Sequence, residues 1–292
     1  MNEPKKAVIL LAGLGTRFLP LSRVVPKELW PLVDRPVVQY IIEEAIKSGF
    51  KEIVFVLRPD NKLILEYIKR SPETEKLLKE RKCSGPLEEL RKLEELFKGV
   101  NFSYLFQKKP MGDGHAILQA EKTIKEEPFA VLFADDVVDS NVPALSQLVN
   151  IFKTSLKPVL SLYRLPSEKL SSYGIVDVEK IANRHYRIKD IIEKPSIENA
   201  PSNLAIIGKY LLTPDIFTYL KKTKKSEKGE IILANGLREM LKDKKTIYGH
   251  EIEGEWLECG TKKAWLSSNI YLSLKNSRHK EELKEIIKKL KI

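Results

Sequence analysis

Runs of apolar residues alternate with amphipathic stretches along most of the chain. The first run, Ala7–Ala12, predicts a strand buried on both faces at the middle of a parallel sheet. Apolar residues at helical spacing then predict a helix over Val37–Ser48, closed by Gly49. The same patterns predict strands at Glu52–Leu57, Phe102–Phe106 and Phe129–Phe133, and helices at Asn61–Lys69 and Gly114–Ile124. This alternation is typical of a Rossmann-like, doubly wound α/β sheet, which binds ligands at the carboxyl ends of its strands.

The pattern changes in two places. Residues 73–98 are rich in charge and predict two surface helices separated at Gly85-Pro86. Further on, shorter links predict a mixed, partly antiparallel sheet with strands at Pro158–Tyr163, Gly174–Val178, Arg187–Ile192, Ala205–Leu212, Thr246–His250 and Glu255–Leu257. Helices are predicted at 214–221, 229–243, Lys262–Leu274 and His279–Lys291. We therefore divide the chain into a first half (1–140), a second half (141–260) and a helical tail (261–292).

Charge and composition narrow the classes of function. The chain has 51 Lys and Arg against 40 Asp and Glu, a net charge of +11. The basic residues are mixed with acidic ones on predicted helices, without interleaved aromatics, so we expect anionic small substrates and no nucleic acid. We find no long apolar run and no signal peptide, and the two cysteines lack metal-ligand spacing. We expect a cytoplasmic protein that does not enter membranes.

A glycine turn directly follows the first strand. The stretch Ala12-Gly13-Leu14-Gly15-Thr16-Arg17 has bare backbone that can approach a ligand and point N–H groups at an anion. Arg17 adds a planar cation suited to phosphate, and Lys27 adds a second cation. Phe18 replaces the third glycine of a dinucleotide fingerprint, and no Walker motif is present. We predict a triphosphate site; a plain tight turn is the alternative.

Polar residues follow the third strand as well. Gln107 offers a donor and an acceptor, which matches the edge of a pyrimidine. Gly112 and Gly114 would let a base lie against the backbone. The alternative is a loop that caps the helix starting near His115.

Acidic residues suggest a metal. Asp135 and Asp136 follow the fourth strand, and one or two carboxylates with phosphate oxygens and water suit Mg²⁺. We favour Asp135 as the ligand over Asp136, and both over a strand-ending turn. Glu258, beside Gly260, is either a second metal ligand or the cap of the helix that starts at Thr261.

A last group lies in the second half. Glu193 could accept hydrogen bonds from sugar hydroxyls, and Lys194 could hold a sugar phosphate as a point charge. The alternative is an exposed salt pair before Pro195, which E-K-P alone would favour. Tyr173-Gly174 precede another strand of this half.

Together these motifs resemble a known family. K-A-V-I-L-L-A-G-L-G-T-R followed by P-K-E-L-W-P-L-V-D-R-P is similar to the signature of sugar-1-phosphate nucleotidylyltransferases, above all the bacterial-type UTP–glucose-1-phosphate uridylyltransferases. G-D-G-H-A, A-D-D-V, Y-G-I-V-D, E-K-P and A-P-S-N-L-A-I-I-G-K-Y follow in the same order, from residue 6 to about 265. The resemblance implies a nucleotidyltransferase fold of the GT-A-like kind, with a nucleotide-binding first half and a sugar-phosphate-binding second half.

The resemblance also implies a reaction, UTP + glucose 1-phosphate → UDP-glucose + pyrophosphate, and a homo-dimer or homo-tetramer. It assigns the triphosphate to Gly13, Arg17 and Lys27, the uracil to Gln107 and Gly114, Mg²⁺ to Asp135, and glucose 1-phosphate to Gly174, Glu193 and Lys194, with Tyr210 near the sugar pocket. We add Ala12, Gly15 and Gly112 as nucleotide-binding residues and Glu258 as a second metal ligand. Arg17, Lys27 and Lys194 would act in catalysis.

The chain departs from the family pattern at three places. The family usually has an aspartate where Glu258 stands, and often Pro-Asp where this chain has Ala134-Asp135. Its segment G-D-E-I-Q-L-T-D-A reads K-G-E-I-I-L-A-N-G here, which keeps Glu230 but loses polar side chains. Two alternatives therefore stay open: the same reaction on dTTP or another hexose 1-phosphate, and a weakened relative that binds nucleotide sugars and regulates a partner.

Overall fold

The computed structural model describes residues 3–276 and 280–290. Within these ranges the strands are β1 (Lys6–Leu11), β2 (Pro31–Leu32), β3 (Arg35–Pro36), β4 (Glu52–Leu57), β5 (Asn101–Phe106), β6 (Phe129–Phe133), β7 (Asp136–Asp139), β8 (Val159–Arg164), β9 (Gly174–Ala182), β10 (His185–Glu193), β11 (Leu204–Leu212), β12 (Tyr248–Glu251) and β13 (Glu255–Glu258). The helices are α1 (Val37–Lys47), α2 (Leu63–Ile68), α3 (Pro72–Glu80), α4 (Ser84–Phe97), α5 (Asp113–Gln119), α6 (Glu121–Ile124), α7 (Ala144–Ser155), α8 (Ile216–Lys222), α9 (Leu233–Lys242), α10 (Lys262–Asn276) and α11 (Lys280–Lys289).

One large sheet organises the molecule. Among the described residues it has nine strands in the order β5-β4-β1-β6-β11-β8-β12-β10-β9. The first four strands are parallel, and β11 then runs antiparallel to β6. The predicted mixed, doubly wound sheet is thereby confirmed. The two halves share this sheet through the pairing of β6 with β11, and the division of ligands between them stays a prediction.

The first strand lies at the centre of the core, as predicted. Ala7, Ile9 and Leu11 belong to the hydrophobic cluster on one face of the sheet, with residues of α1 and α7. Val8 and Ala12 belong to the cluster on the other face, with residues of α5, α8 and α9. Because side chains alternate along a strand, an unbroken apolar run is what burial on both faces requires.

Several predicted boundaries were wrong. Gly85-Pro86 do not separate two helices, because α4 begins at Ser84 and both residues lie in its first turn, where proline needs no hydrogen-bond partner for its nitrogen. The helix predicted over Gly114–Ile124 is divided into α5 and α6. Residues 144–155, for which we predicted no element, form α7. The last predicted helix is α11, and its ends at His279 and Lys291 lie outside the described residues.

Two short ribbons complete the fold. β2 pairs with β3, and β13 pairs antiparallel with β7, placing Glu258 opposite Asp136. The second ribbon carries residues from both halves of the chain to the carboxyl end of β6. It therefore positions the acidic side chains described next. No helix in the described ranges combines the length and the apolar character needed to cross a membrane.

Candidate active site

The glycine turn lies directly at the carboxyl end of β1. Gly15 has φ +62°, and a Cβ there would lie 3.1 Å from the Ser22 Cβ, so both backbone and space favour glycine. Ser22 holds the turn by donating from its hydroxyl to the Gly15 carbonyl at 2.7 Å. Gly13 and Arg17 are exposed beyond the buried Ala12. The predicted cradle is thus an open loop with a free cation at its rim.

The Lys27 side chain lies at the same end of the sheet, where the parallel strands have their carboxyl ends. Its Nζ contacts Asp135 Oδ2 and lies 4.0 Å from Glu28 Oε1. Burial would lower the pKa of Lys27, but the charges of Asp135 and Glu28 outweigh it and raise the pKa above its ordinary value. Burial likewise opposes ionisation of Asp135, yet Lys27 holds the pKa of that carboxyl below its usual range. The site therefore contains a charged ion pair in largely dry surroundings.

The two adjacent aspartates have different environments. Asp136 accepts from the Trp256 Nε1–H at 2.7 Å and from the Gly208 N–H at 3.0 Å, so both its oxygens are engaged. Burial raises its pKa to about 7, and the nearby Asp135 adds to the rise. Asp135 in contrast faces the cations Lys27 and Arg17. This difference agrees with our preference for Asp135 as the metal ligand.

Glu258 lies beside Asp135. A Cβ on Gly260 would lie 3.0 Å from Asp135 Oδ2 and 3.2 Å from Glu258 Oε1, so the two carboxylates face one small volume. The Cys259 N–H donates to the Asp135 carbonyl at 2.7 Å and ties β13 to this corner. Hard carboxylate oxygens suit Mg²⁺, which usually takes one or two from protein and the rest from phosphate and water. No cluster of three or more metal-ligating side chains occurs in the described part of the chain. This pair therefore fits a cation shared with substrate.

The segment predicted to contact the base, residues 107–115, is called the base loop here, and it is held by hydrogen bonds and by packing against the segment near Ile231. Gln107 is 4% exposed, and its Nε2 donates to the Gly112 carbonyl at 2.9 Å and lies 2.9 Å from His115 Nδ1. No described residue donates to its Oε1, which stays available as an acceptor. Gly112 has φ +92°, and a Cβ there would lie 2.5 Å from the Ile231 carbonyl. A Cβ on Gly114 would also meet Ile231, at 2.9 Å from its carbonyl. Because neither glycine has a side chain, the backbone near residue 231 can pack closely against this loop. The contact of the glycines with a base stays a prediction.

The residues predicted for the sugar phosphate are grouped. Lys194, with φ +49°, lies with its Nζ 2.9 Å from Glu193 Oε1, and its side chain is 56% exposed. A Cβ on Gly174 would lie 3.1 Å from Glu193 Oε2. Tyr210 is buried, and burial followed by the charges of nearby Asp113, Asp136 and Glu193 raises its pKa well above the ordinary value. Tyr210 is therefore near Asp113, Asp136 and Glu193.

Sequence reasoning missed two polar side chains at this edge. Arg58 directly follows β4, its Nη1 lies 3.5 Å from the Gly13 carbonyl, and it lines a cavity of about 250 Å³ with Leu14 and Gln107. The rule that pointed to Gln107 and Asp135, a polar residue just after a buried strand, would have found it. Tyr173 was noted only for its neighbour Gly174. Its hydroxyl donates to Glu258 Oε2 at 2.7 Å, and no sequence signal indicates that contact.

Comparison with known proteins defines the class. The chain matches the nucleotidyl transferase family over residues 6–273 and belongs to that family, which confirms the resemblance. It is 39% identical to UTP–glucose-1-phosphate uridylyltransferase 2 of Staphylococcus saprophyticus over 292 residues, the whole of both chains. It is 36% identical to UTP–glucose-1-phosphate uridylyltransferase of Bacillus subtilis over 283 residues, 97% of this chain and 96% of that one.

Solved structures agree. A UTP-bound UGPase from Acinetobacter baumannii is 33% identical and superimposes with a TM-score of 0.89, covering 97% of this chain and 98% of that one. A UDP-glucose pyrophosphorylase in complex with UDP-glucose is 34% identical, with a TM-score of 0.84, and covers 94% of this chain and 100% of that one. The particular proteins that this chain resembles over its length are thus uridylyltransferases that form UDP-glucose.

Proposed function

We propose that this protein transfers the uridylyl group of UTP to glucose 1-phosphate and releases pyrophosphate. One observation supports it above the others: the Lys27–Asp135 pair and Glu258 meet near the carboxyl end of β6, and Tyr173 joins Glu258 to the Lys194 backbone. The full-length similarity to uridylyltransferases supports the same reaction.

The chemistry needs charge neutralisation more than proton transfer. A phosphomonoester has a second pKa near 6, about the ordinary value, so the sugar phosphate is mostly a dianion at neutral pH and already a nucleophile. The obstacle is the repulsion between two anions. In this proposal Arg17, Lys27 and Lys194 would supply positive charge that neutralises the two anions and sets an in-line attack on the α-phosphorus.

Asp135 and Glu258 are the residues that would hold Mg²⁺ in this proposal. When bound, the ion would offset the charge of the phosphate oxygens. Lys27 pairs with Asp135, so binding of triphosphate would require this ammonium to share its charge with phosphate oxygens.

The choice of substrates rests on fewer contacts. Ile231 and Leu233, both buried, hold the base loop through two hydrogen bonds. The Gly114 N–H donates to the Ile231 carbonyl at 2.9 Å, and the Leu233 N–H donates to the Asp113 side-chain Oδ1 at 2.9 Å. The departures that replace the family's Gln, Thr and Asp lie between and beyond them, at partly buried positions 232, 234 and 235. They do not remove these contacts, which favours an active enzyme over a regulatory relative.

The test is pyrophosphate release from the purified protein with UTP or dTTP, paired with glucose 1-phosphate or other hexose 1-phosphates. We expect the highest kcat/KM for UTP with glucose 1-phosphate, and loss of turnover when EDTA removes Mg²⁺. A higher kcat/KM for dTTP than for UTP would show that the protein prefers thymine to the proposed uracil. Nucleotide-sugar binding without pyrophosphate release would favour the regulatory alternative. We also propose, on the sequence predictions above, a cytoplasmic homo-dimer or homo-tetramer, which sedimentation would test.

A further inference from the structure

One oxygen of the Glu258 carboxylate accepts a hydrogen bond, and the other oxygen faces the same small volume as Asp135. Oε2 accepts the Tyr173 hydroxyl hydrogen bond at 2.7 Å. Oε1 faces the Gly260 backbone next to Asp135 Oδ2, each close to the point where a Cβ on Gly260 would lie. A glutamate has one more rotatable bond than an aspartate, and its orientation is lost without a partner. The tyrosine supplies that partner.

Tyr173 is itself held rigidly. Its ring packs edge-on against Trp256, with centroids 5.1 Å apart and an interplanar angle of 73°. Trp256 in turn donates to Asp136 at 2.7 Å, so the ring is anchored to the β7–β13 ribbon. A hydroxyl on a fixed ring loses little entropy in making a hydrogen bond, so it can orient a flexible carboxylate.

The backbone of Tyr173 contacts the segment predicted to hold the sugar phosphate. Its carbonyl accepts from the Lys194 N–H at 3.0 Å, and the next residue is Gly174, which faces Glu193. Tyr173 therefore contacts both Glu258 and the segment predicted to hold the sugar phosphate. This arrangement links the position of Glu258 to that segment.

We propose that Tyr173 is a positioning residue, which orients Glu258 so that its free oxygen and Asp135 together bind a divalent cation. This inference rests on the proposed function, since that reaction supplies the need for the cation. It requires no contact of Tyr173 with the reacting atoms.

The direct test measures cation binding without turnover. Mn²⁺ is titrated into the protein with UDP-glucose, which cannot react without pyrophosphate, and free Mn²⁺ is followed by electron paramagnetic resonance against a blank of UDP-glucose alone. We expect Tyr173→Phe to bind Mn²⁺ roughly tenfold more weakly, the lower end of the range for partners that orient metal ligands. An unchanged Mn²⁺ affinity would overturn the proposal.

The chain offers a matched control. Tyr163 also packs on Trp256, at 5.7 Å between centroids, and its hydroxyl donates to a carboxylate of the same strand, Glu255, at 3.3 Å. Tyr163→Phe removes the same hydroxyl from the same aromatic group but leaves Glu258 alone. It should bind Mn²⁺ like the parent protein. A similar loss in both variants would indicate general damage to the ribbon and contradict a specific role for Tyr173.

A double-mutant cycle tests whether Tyr173 acts through Glu258. Glu258→Ala should weaken Mn²⁺ binding by itself, and adding Tyr173→Phe should then have no further effect. An additional tenfold loss in the double variant, or no effect of Glu258→Ala, would refute the mechanism.

Kinetics separates this inference from the proposed function. With UTP and glucose 1-phosphate, Tyr173→Phe should need about tenfold more Mg²⁺ for half-maximal rate, while kcat at saturating Mg²⁺ stays within about twofold of the parent. If the parent protein releases no pyrophosphate with any substrate pair, the proposed function fails, whereas the Mn²⁺ titration still decides the role of Tyr173. A fall in kcat without a change in Mg²⁺ dependence would contradict positioning.

Discussion

A buried ion pair beneath the site offers the sharpest test of how the acidic corner is supported. Lys209 on β11 is fully buried, and its Nζ lies 2.7 Å from Glu44 Oε2 on α1, whose side chain is 9% exposed. Nζ also donates to the Asp136 carbonyl at 2.8 Å, and Glu44 Oε1 accepts the Leu145 N–H of α7 at 2.8 Å. Four segments of the chain therefore meet at this pair.

Removing the Lys209 charge while Glu44 remains should lower the free energy of unfolding. Lys209→Met keeps a long apolar side chain but leaves Glu44 as a buried charge without its partner, which typically destabilises by about 3–5 kcal/mol. For a chain of this length the entropy of unfolding is roughly 0.6 kcal/mol per kelvin. The melting temperature followed by circular dichroism should therefore fall by about 5–8 °C.

Two further variants test the reasoning. Adding Glu44→Gln to Lys209→Met removes the unpaired charge but keeps an acceptor for Leu145, so the double variant should regain about half of the lost stability. Lys221→Met is the surface control, because Lys221 pairs with Glu121 at 2.5 Å with both side chains more than one-third exposed; it should cost under about 1 kcal/mol. A melting temperature for Lys209→Met within 2 °C of the parent, or no recovery in the double variant, would refute this account.

Four other predictions concern the site. Asp135→Ala should remove nearly all Mg²⁺-dependent pyrophosphate release, and retained turnover would place the metal elsewhere. Lys194→Ala should raise the KM for glucose 1-phosphate about tenfold or more and leave the KM for UTP nearly unchanged, so a normal saturation curve for the sugar phosphate would exclude its role. Burial raises the pKa of Asp113 from 3.8 to about 6, so the folded carboxyl keeps its proton where the unfolded one has lost it. The protein should therefore lose about 1–3 kcal/mol relative to Asp113→Asn as pH rises from 4 to 6, which urea unfolding would detect, and a constant difference across that range would contradict the shift. Gly112→Ala should destabilise by more than about 1 kcal/mol, because a Cβ would lie 2.5 Å from the Ile231 carbonyl at a positive φ, and a neutral result in thermal unfolding would show that the loop relaxes.

The sequence predicted best where a local rule was sufficient. β4 and β6 begin and end at the predicted residues, because each is an apolar run between polar boundaries. The parallel half of the sheet follows from strands alternating with helices. Polar residues that directly follow predicted buried strands were expected at the carboxyl ends of those strands. Gln107 and Asp135 both lie there.

Long-range pairing was beyond such rules. The sequence analysis predicts no element at α7, although Ala144, Leu145, Leu148 and Phe152 recur at helical spacing. The β7–β13 ribbon could not be predicted, since both strands are four residues long and more than a hundred residues apart. Short strands gain their stability from the partner they meet in the fold, and their sequence alone does not specify it.

That ribbon helps explain why the two acidic residues of the A-D-D-V motif differ: Asp135 faces the cations Lys27 and Arg17, and Asp136 accepts hydrogen bonds from the protein. Antiparallel pairing sets Glu258 opposite Asp136, whose carboxylate accepts a hydrogen bond from Trp256 of β13. Asp135 lies in the turn before β7, and its carboxylate contacts Lys27. Glu258 then reaches past the end of the ribbon to Asp135, with Tyr173 fixing the longer side chain. The extra methylene of this glutamate is therefore accommodated by a hydroxyl from another segment. An aspartate placed at 258 would have to give up either the tyrosine or its position beside Asp135, so Glu258→Asp should lower Mn²⁺ affinity here even though it keeps the charge.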